Sequence, residues 1–173
     1  TPSFVSILHA YEVPGEGGQT EFTSMRAGYA RLSNEMRERI EPLHVVHDYV
    51  FSRSPIAPVN PNHAASLPPV MHPMVRTNPV NSLKNYYIGS HARSIPGWSG
   101  IDSRQLLDTL LEHTTAPERI LSLAFKPGDT VIWDNRCILH RGTGYDADRW
   151  RRRLRQTRVV GSDKGVIPKP LQE

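Results

Sequence analysis

The chain has 173 residues, 38% of them hydrophobic and 22% charged, which suits one soluble domain with a buried core. Lys and Arg number 21 against 17 Asp and Glu, and a net charge of +4 is too small to imply a nucleic-acid partner by itself. No apolar run approaches the roughly 20 residues of a membrane span, and the single cysteine, Cys137, excludes an internal disulfide framework, so a cytoplasmic protein is expected.

Ser3 to Ala10 is apolar and rich in branched residues, the pattern of a buried strand. Pro14 to Gly18 reads as a turn. Thr23 is read as the N-cap of a short helix reaching Leu32, and a second helix runs from Ser33 to Ile40, stopped by Pro42. His44 and His47 flank Val45-Val46, which favours a strand and a structural role for both histidines. Six prolines between Ser54 and Pro73 exclude a helix interior or a central strand there, leaving a lid, a binding loop or an ordered surface loop.

Met74–Thr77 and Leu83–Ile88 read as a hairpin. Ser103 is expected to cap a helix over Arg104–His113, with Leu106, Leu107, Leu110 and Leu111 as its apolar stripe. Strands follow at Ile120–Phe125, Thr130–Trp133 and Cys137–His140, and the Arg-rich stretch ends strand-like at Val159-Val160-Gly161. The expectation is a mainly β domain with flanking helices, a sandwich or jelly roll, over residues 1–161, with a polar tail at 162–173.

Six arginines fall between Arg149 and Arg158. Side chains two or four positions apart share a strand face, so Arg151 and Arg155 should point the same way, with Arg153 beside them unless a bulge intervenes. Guanidinium groups facing an interior require anions, and the planar fork of Arg suits a carboxylate; a bound dicarboxylate would satisfy both. Arg152 and Arg158 are read as solvated. A rival reading of the cluster is phosphate neutralisation in a nucleic-acid-binding module.

Four segments carry a resemblance: WDNRCILHRGTGYD, RRRLRQTRVVG, GGQTEFTSMRAGYARL at Gly17–Leu32, and HPMVRTNP at His72–Pro79. Together, and in their order along residues 3–161, these segments make the chain resemble the TauD/TfdA (taurine and dichlorophenoxyacetate dioxygenase) family. The resemblance implies a double-stranded β-helix of jelly-roll, cupin-like type. It also implies iron(II) held by two histidines and a carboxylate, with 2-oxoglutarate as cosubstrate. The implied reaction is O2-dependent hydroxylation of a small organic acid (sulfonate, carboxylate or aryloxyalkanoate), with release of succinate and CO2. By the same resemblance His140 is a metal ligand, Arg151 pairs with the far carboxylate of 2-oxoglutarate, and Thr20 hydrogen-bonds it. Trp133 lies beside that site, and Arg155 stands near the cosubstrate and the substrate's acidic group.

The family's other two ligands form a His-x-Asp/Glu motif upstream of the region matching Ser3–Ala10, and the chain contains no such triplet. It begins at Thr1 rather than at a methionine, so the fold is expected to be N-terminally incomplete and this piece alone is not expected to hold iron tightly or turn over. Gln19 stands where relatives often carry an acidic residue. Two alternatives stay open: a jelly-roll pseudoenzyme or binding protein lacking the metal site, and the Arg-rich nucleic-acid module. The resemblance points to no membrane partner and leaves homo-oligomerisation open.

Overall fold

A run rich in branched apolar residues, with Ser6, Leu8 and Ala10 buried in alternation, forms strand β1 (Ser3–Glu12) in the computed structural model, which describes residues 3–57 and 59–160. In chain order there follow β2 (Thr20–Ser24), α1 (Met25–Ala30), α2 (Asn34–Ile40), β3 (His44–His47), α3 (Tyr49–Arg53), α4 (Pro61–Ser66) and β4 (Val70–Pro73). Then come β5 (Val75–Thr77), β6 (Lys84–Tyr86), β7 (Ala92–Ser94), α5 (Gly100–Thr114), β8 (Leu121–Leu123), β9 (Thr130–Asp134), β10 (Ile138–Gly142) and β11 (Arg153–Val160). The chain is mainly β with some helices. Its described residues divide into two units: those up to Ser24 with Asn78–Leu83 and those from Pro117 to Val160, and those of Met25–Thr77 with Lys84–Ala116. The tail expected at 162–173 lies outside the described residues.

The first unit holds two antiparallel three-stranded sheets, β11-β1-β9 and β10-β2-β8. Between them Leu8, Ala10, Phe22, Phe125 and Trp133 form a core, with Val131, Ile138 and Leu154 packed against it. Directly paired residues share a face. Ala10 pairs with Leu154, Leu8 with Gln156 and Val131, and Ser6 with Arg158 and Trp133. The core positions therefore identify the inner face, and Leu154, Gln156 and Arg158 all belong to it. The outer face carries Ile7, His9, Thr130, Ile132 and Arg155, and His9 Nδ1 bonds Thr130 Oγ1 at 2.7 Å.

The second unit pairs β4-β3-β7 in one sheet and β5-β6 in the expected hairpin. The second helix expected from Ser33 to Ile40 is α2, with Ser33 as its N-cap, its side chain accepting from the Met36 N–H at 3.1 Å. The two expected caps, Thr23 and Ser103, are not caps. Thr23 lies within β2, paired with Leu139. Helix α5 starts one turn early because Ser99 accepts from the Asp102 N–H and donates to its carboxylate, a reciprocal cap, while Ser103 is buried and accepts from the Ile95 N–H. The Pro-rich segment is partly ordered structure: Pro61 opens α4 behind an Asn60 cap, and Pro73 ends β4, an edge strand that tolerates it.

Candidate active site

The turn Asp134-Asn135-Arg136 is closed by Asp134, whose carboxylate accepts from the Arg136 N–H at 2.9 Å and forms a 2.7 Å ion pair with its guanidinium. It delivers β10, and two-residue periodicity sends Ile138 and His140 to the inner face. His140 pairs with Phe22, and its ring centroid lies 4.7 Å from that of Trp133 and 6.4 Å from that of Phe22. Partial burial against this cover and, second, the Arg158 charge lower its pKa, while the residue keeps an exposed side. The ring is neutral at pH 7, the form a metal requires of a histidine ligand. Trp133 is 6% exposed, and its buried Nε1 has no hydrogen-bond partner among the described residues.

Two residues along β2 from Phe22, about 7 Å by strand rise, stands Thr20, which is 2% exposed and pairs with Gly142. Its hydroxyl accepts a 3.0 Å bond from Arg152 Nη2, and Arg152 Nε donates to the Gly18 carbonyl at 2.9 Å. The Gly17-Gly18 turn makes this approach feasible. Both residues have left-handed φ (72° and 67°), and a Cβ on Gly18 would sit 3.3 Å from Arg152 Cδ and 2.5 Å from Pro14 Cγ. The Gly18 N–H bonds Gly144 O at 3.0 Å and the Thr143 N–H bonds Gln19 O at 2.9 Å, tying this turn to the loop after β10. With two of its five N–H groups used and no carboxylate against it among the described residues, the Arg152 guanidinium keeps donors for an anion.

These positions change the reading of the arginines. Thr20, Trp133 and His140 come together on the inner face. Arg151 precedes β11 and is exposed, and its neighbour Arg152 is the arginine that reaches Thr20. Arg155 pairs with His9 on the outer face, so the expectation that Arg151 and Arg155 enter one cavity is corrected. The cause is Leu154, the one apolar residue of RRRLRQTR; drawing it into the core turns 153, 155 and 157 outward. Arg152, read as solvated, is half-buried and reaches Thr20, while Arg158 is exposed as expected, opposite Ser6 at the far end of β11. Arg153 instead meets Glu12 at 3.5 Å and lies over the Tyr11 ring. The six arginines thus make no single phosphate-binding face.

Among the described residues no group of three or more His, Cys, Asp or Glu could hold a metal ion. The residues present fit one neutral imidazole ligand and one carboxylate cradle, a chemistry suited to a chelated metal and an acidic cosubstrate.

A family model described as taurine catabolism dioxygenase TauD, TfdA family matches residues 1–158. The chain belongs to this family. A 2,4-dichlorophenoxyacetate dioxygenase, described as alpha-ketoglutarate-dependent, from Burkholderia sp. (strain RASC) is 38% identical over 95% of the chain and 56% of its own length. An (S)-phenoxypropionate/alpha-ketoglutarate-dioxygenase from Sphingobium herbicidovorans is 33% identical over 90% of the chain and 57% of its length. The crystal structure of AAD-2 in complex with Mn(II) and N-oxalylglycine superposes with a TM-score of 0.87 at 36% identity, covering 96% of this chain and 66% of that one. The chain thus spans little more than half the length of these curated relatives.

Proposed function

We propose that the protein of which this chain forms the site described above is an iron(II)- and 2-oxoglutarate-dependent dioxygenase with a double-stranded β-helix core, hydroxylating a small organic acid. The observation that carries this reading is one inner face that holds both the His140 imidazole, paired with Phe22, and a guanidinium–hydroxyl cradle at Arg152 and Thr20, two residues further along β2. The strand rise between Phe22 and Thr20, about 7 Å, leaves room for a five-carbon dicarboxylate whose far carboxylate rests on Arg152 while its oxo-acid end lies beside His140. Arg152 takes the anchoring role that motif spacing assigns to Arg151.

When bound, iron and 2-oxoglutarate supply the oxidative chemistry. The chain's part is binding and orientation. His140 donates one ligand, Trp133 walls the site and holds the imidazole plane, and Arg152 with Thr20 fixes the cosubstrate. The other two ligands are proposed to come from the portion of the relatives' length that this chain does not span; β10 is an edge strand among the described residues, so the His140 side is open to them.

The relatives' names support an aryloxyalkanoate as substrate class. The full-length protein, given Fe(II), O2 and 2-oxoglutarate, should release succinate in step with consumption of 2,4-dichlorophenoxyacetate or phenoxypropionate. Absence of succinate with these acids, taurine and an alkyl sulfate would overturn the reading in favour of a non-catalytic jelly roll.

A further inference from the structure

We propose that His47 and His72 form a further metal site, a two-imidazole site in the second unit that takes a transition-metal dication such as Cu(II) or Zn(II). It uses none of the residues of the His140 site and does not depend on the proposed function. The register of sheet β4-β3-β7 builds it. Val45 pairs with His72 and His47 with Val70, and Val45 and His47 stand two residues apart, so both imidazoles lie on one face as diagonal neighbours. Their ring centroids are 5.5 Å apart, with the planes at 63°. Two imidazoles that share one ion, each nitrogen about 2.0–2.1 Å from it, place their ring centres roughly 5–6 Å apart. His47 lies on the central strand and His72 on the edge strand β4, the side from which an ion reaches the pair.

Two unmet polar atoms around Tyr87 point to a ligand. His47 Nε2 is buried and has no hydrogen-bond partner among the described residues. The Tyr87 backbone bonds the same ring and favours its protonated form, as a carbonyl acceptor does, so Nδ1 carries the proton and Nε2 keeps its electron pair. Histidine metal ligands are set in this way, the second nitrogen donating to a backbone carbonyl or carboxylate. Burial keeps the ring neutral at pH 7, so an ion displaces no proton from it. The other atom is Arg76 Nη1, also buried and without a hydrogen-bond partner among the described residues. Its guanidinium lies 5.0 Å from the Tyr87 ring centroid, and the His47 and His72 rings lie 5.1 and 5.7 Å from it. A bare dication would be repelled by Arg76. A dication that carries an anionic co-ligand satisfies both atoms, the metal taking the His47 electron pair and the anion the Arg76 N–H. Among the described residues no third His, Cys, Asp or Glu completes a cage, and His91 bonds Ser52 Oγ through Nδ1 at 2.6 Å. The site is therefore open, and it binds less tightly than a four-ligand structural site.

The test titrates the full-length protein with Cu(II) chloride at pH 7 and follows binding by calorimetry and by electron paramagnetic resonance. The parent protein should take up about one equivalent more than His47→Gln or His72→Gln, and the signal of that equivalent should show coupling to two imidazole nitrogens. His44→Gln, at an exposed position of the same strand, should bind as the parent does. A bound ion ties β3 to the edge strand, so Zn(II) should raise the melting temperature further in the parent than in His72→Gln. Melts in the presence of chelator check that each variant is folded, and His72, on the edge, is the replacement that disturbs packing least. Equal Cu(II) uptake by the parent and His72→Gln, loss of the extra equivalent in His44→Gln, coupling to a single nitrogen, or equal Zn(II) shifts would overturn the proposal.

Discussion

Arg152 and Thr20 lie 132 positions apart in the chain and meet in a 3.0 Å hydrogen bond. The bond joins the start of β2 to the segment entering β11, two elements in different sheets of the first unit. It gives a surface-prone side chain one fixed direction, and that direction is toward the face that carries His140. A guanidinium so held loses less freedom when a carboxylate binds than a mobile one would.

The glycine turn beneath Arg152 is part of this device. In Gly18→Ala the new methyl would crowd Pro14 and Arg152 Cδ, and the residue would have to keep a left-handed φ of 67°. The variant is expected to fold with about 1–2 kcal/mol less stability and to bind 2-oxoglutarate at least severalfold more weakly. Urea denaturation beside a 2-oxoglutarate titration checks both, and parent-like affinity would show that the turn does not set the arginine.

Trp133 fills the space between Phe22 and His140 without using its N–H. Trp133→Ala should cost about 3–5 kcal/mol, the range for losing a large buried aromatic. Trp133→Phe should cost under about 1.5 kcal/mol, since it keeps most of the packing and breaks no hydrogen bond. Equal losses for the two variants, read from urea midpoints, would contradict this account.

His47 makes the second unit acid-sensitive. Burial first, then the neighbouring charges of His72 and His91, lower its pKa from 6.5 to about 4, and its Nε2 has no partner among the described residues. Between these two values the unfolded chain binds more protons than the folded one, so stability rises with pH. The contribution is complete above pH 6.5 and is lost as pH falls through about 4, an effect on the order of 3 kcal/mol. Unfolding free energies measured from pH 4 to 7 should show this slope, and His47→Gln should flatten it; an unchanged slope would assign the acid sensitivity elsewhere.

Much of this architecture was legible before any coordinates. The β1 run, the helix α2, the hairpin of β5 and β6, and the strands leading to Trp133 and His140 follow from local pattern, because periodicity and turn chemistry act within a few residues. The misreadings are of two kinds. At α5 two serines compete as caps one turn apart, and Ser99-Gly-Ile-Asp102 prevails through its reciprocal bonds to Asp102. In the Arg-rich strand, counting between arginines overlooked the apolar residue among them: Leu154 alone sets which side chains face inward. Arg152 could not be found by counting at all, because its position depends on a turn 134 positions earlier in the chain that only tertiary structure brings near.

The central claim, that Arg152 anchors the cosubstrate beside His140, is tested most directly by N-oxalylglycine binding to the Mn(II)-loaded full-length protein and its Arg152→Ala and Arg151→Ala variants. The account predicts a loss of about 10- to 100-fold for Arg152→Ala, the worth of a charge-assisted hydrogen-bond pair, and a change within about threefold for Arg151→Ala. The opposite order, with Arg151→Ala crippled and Arg152→Ala intact, would contradict it.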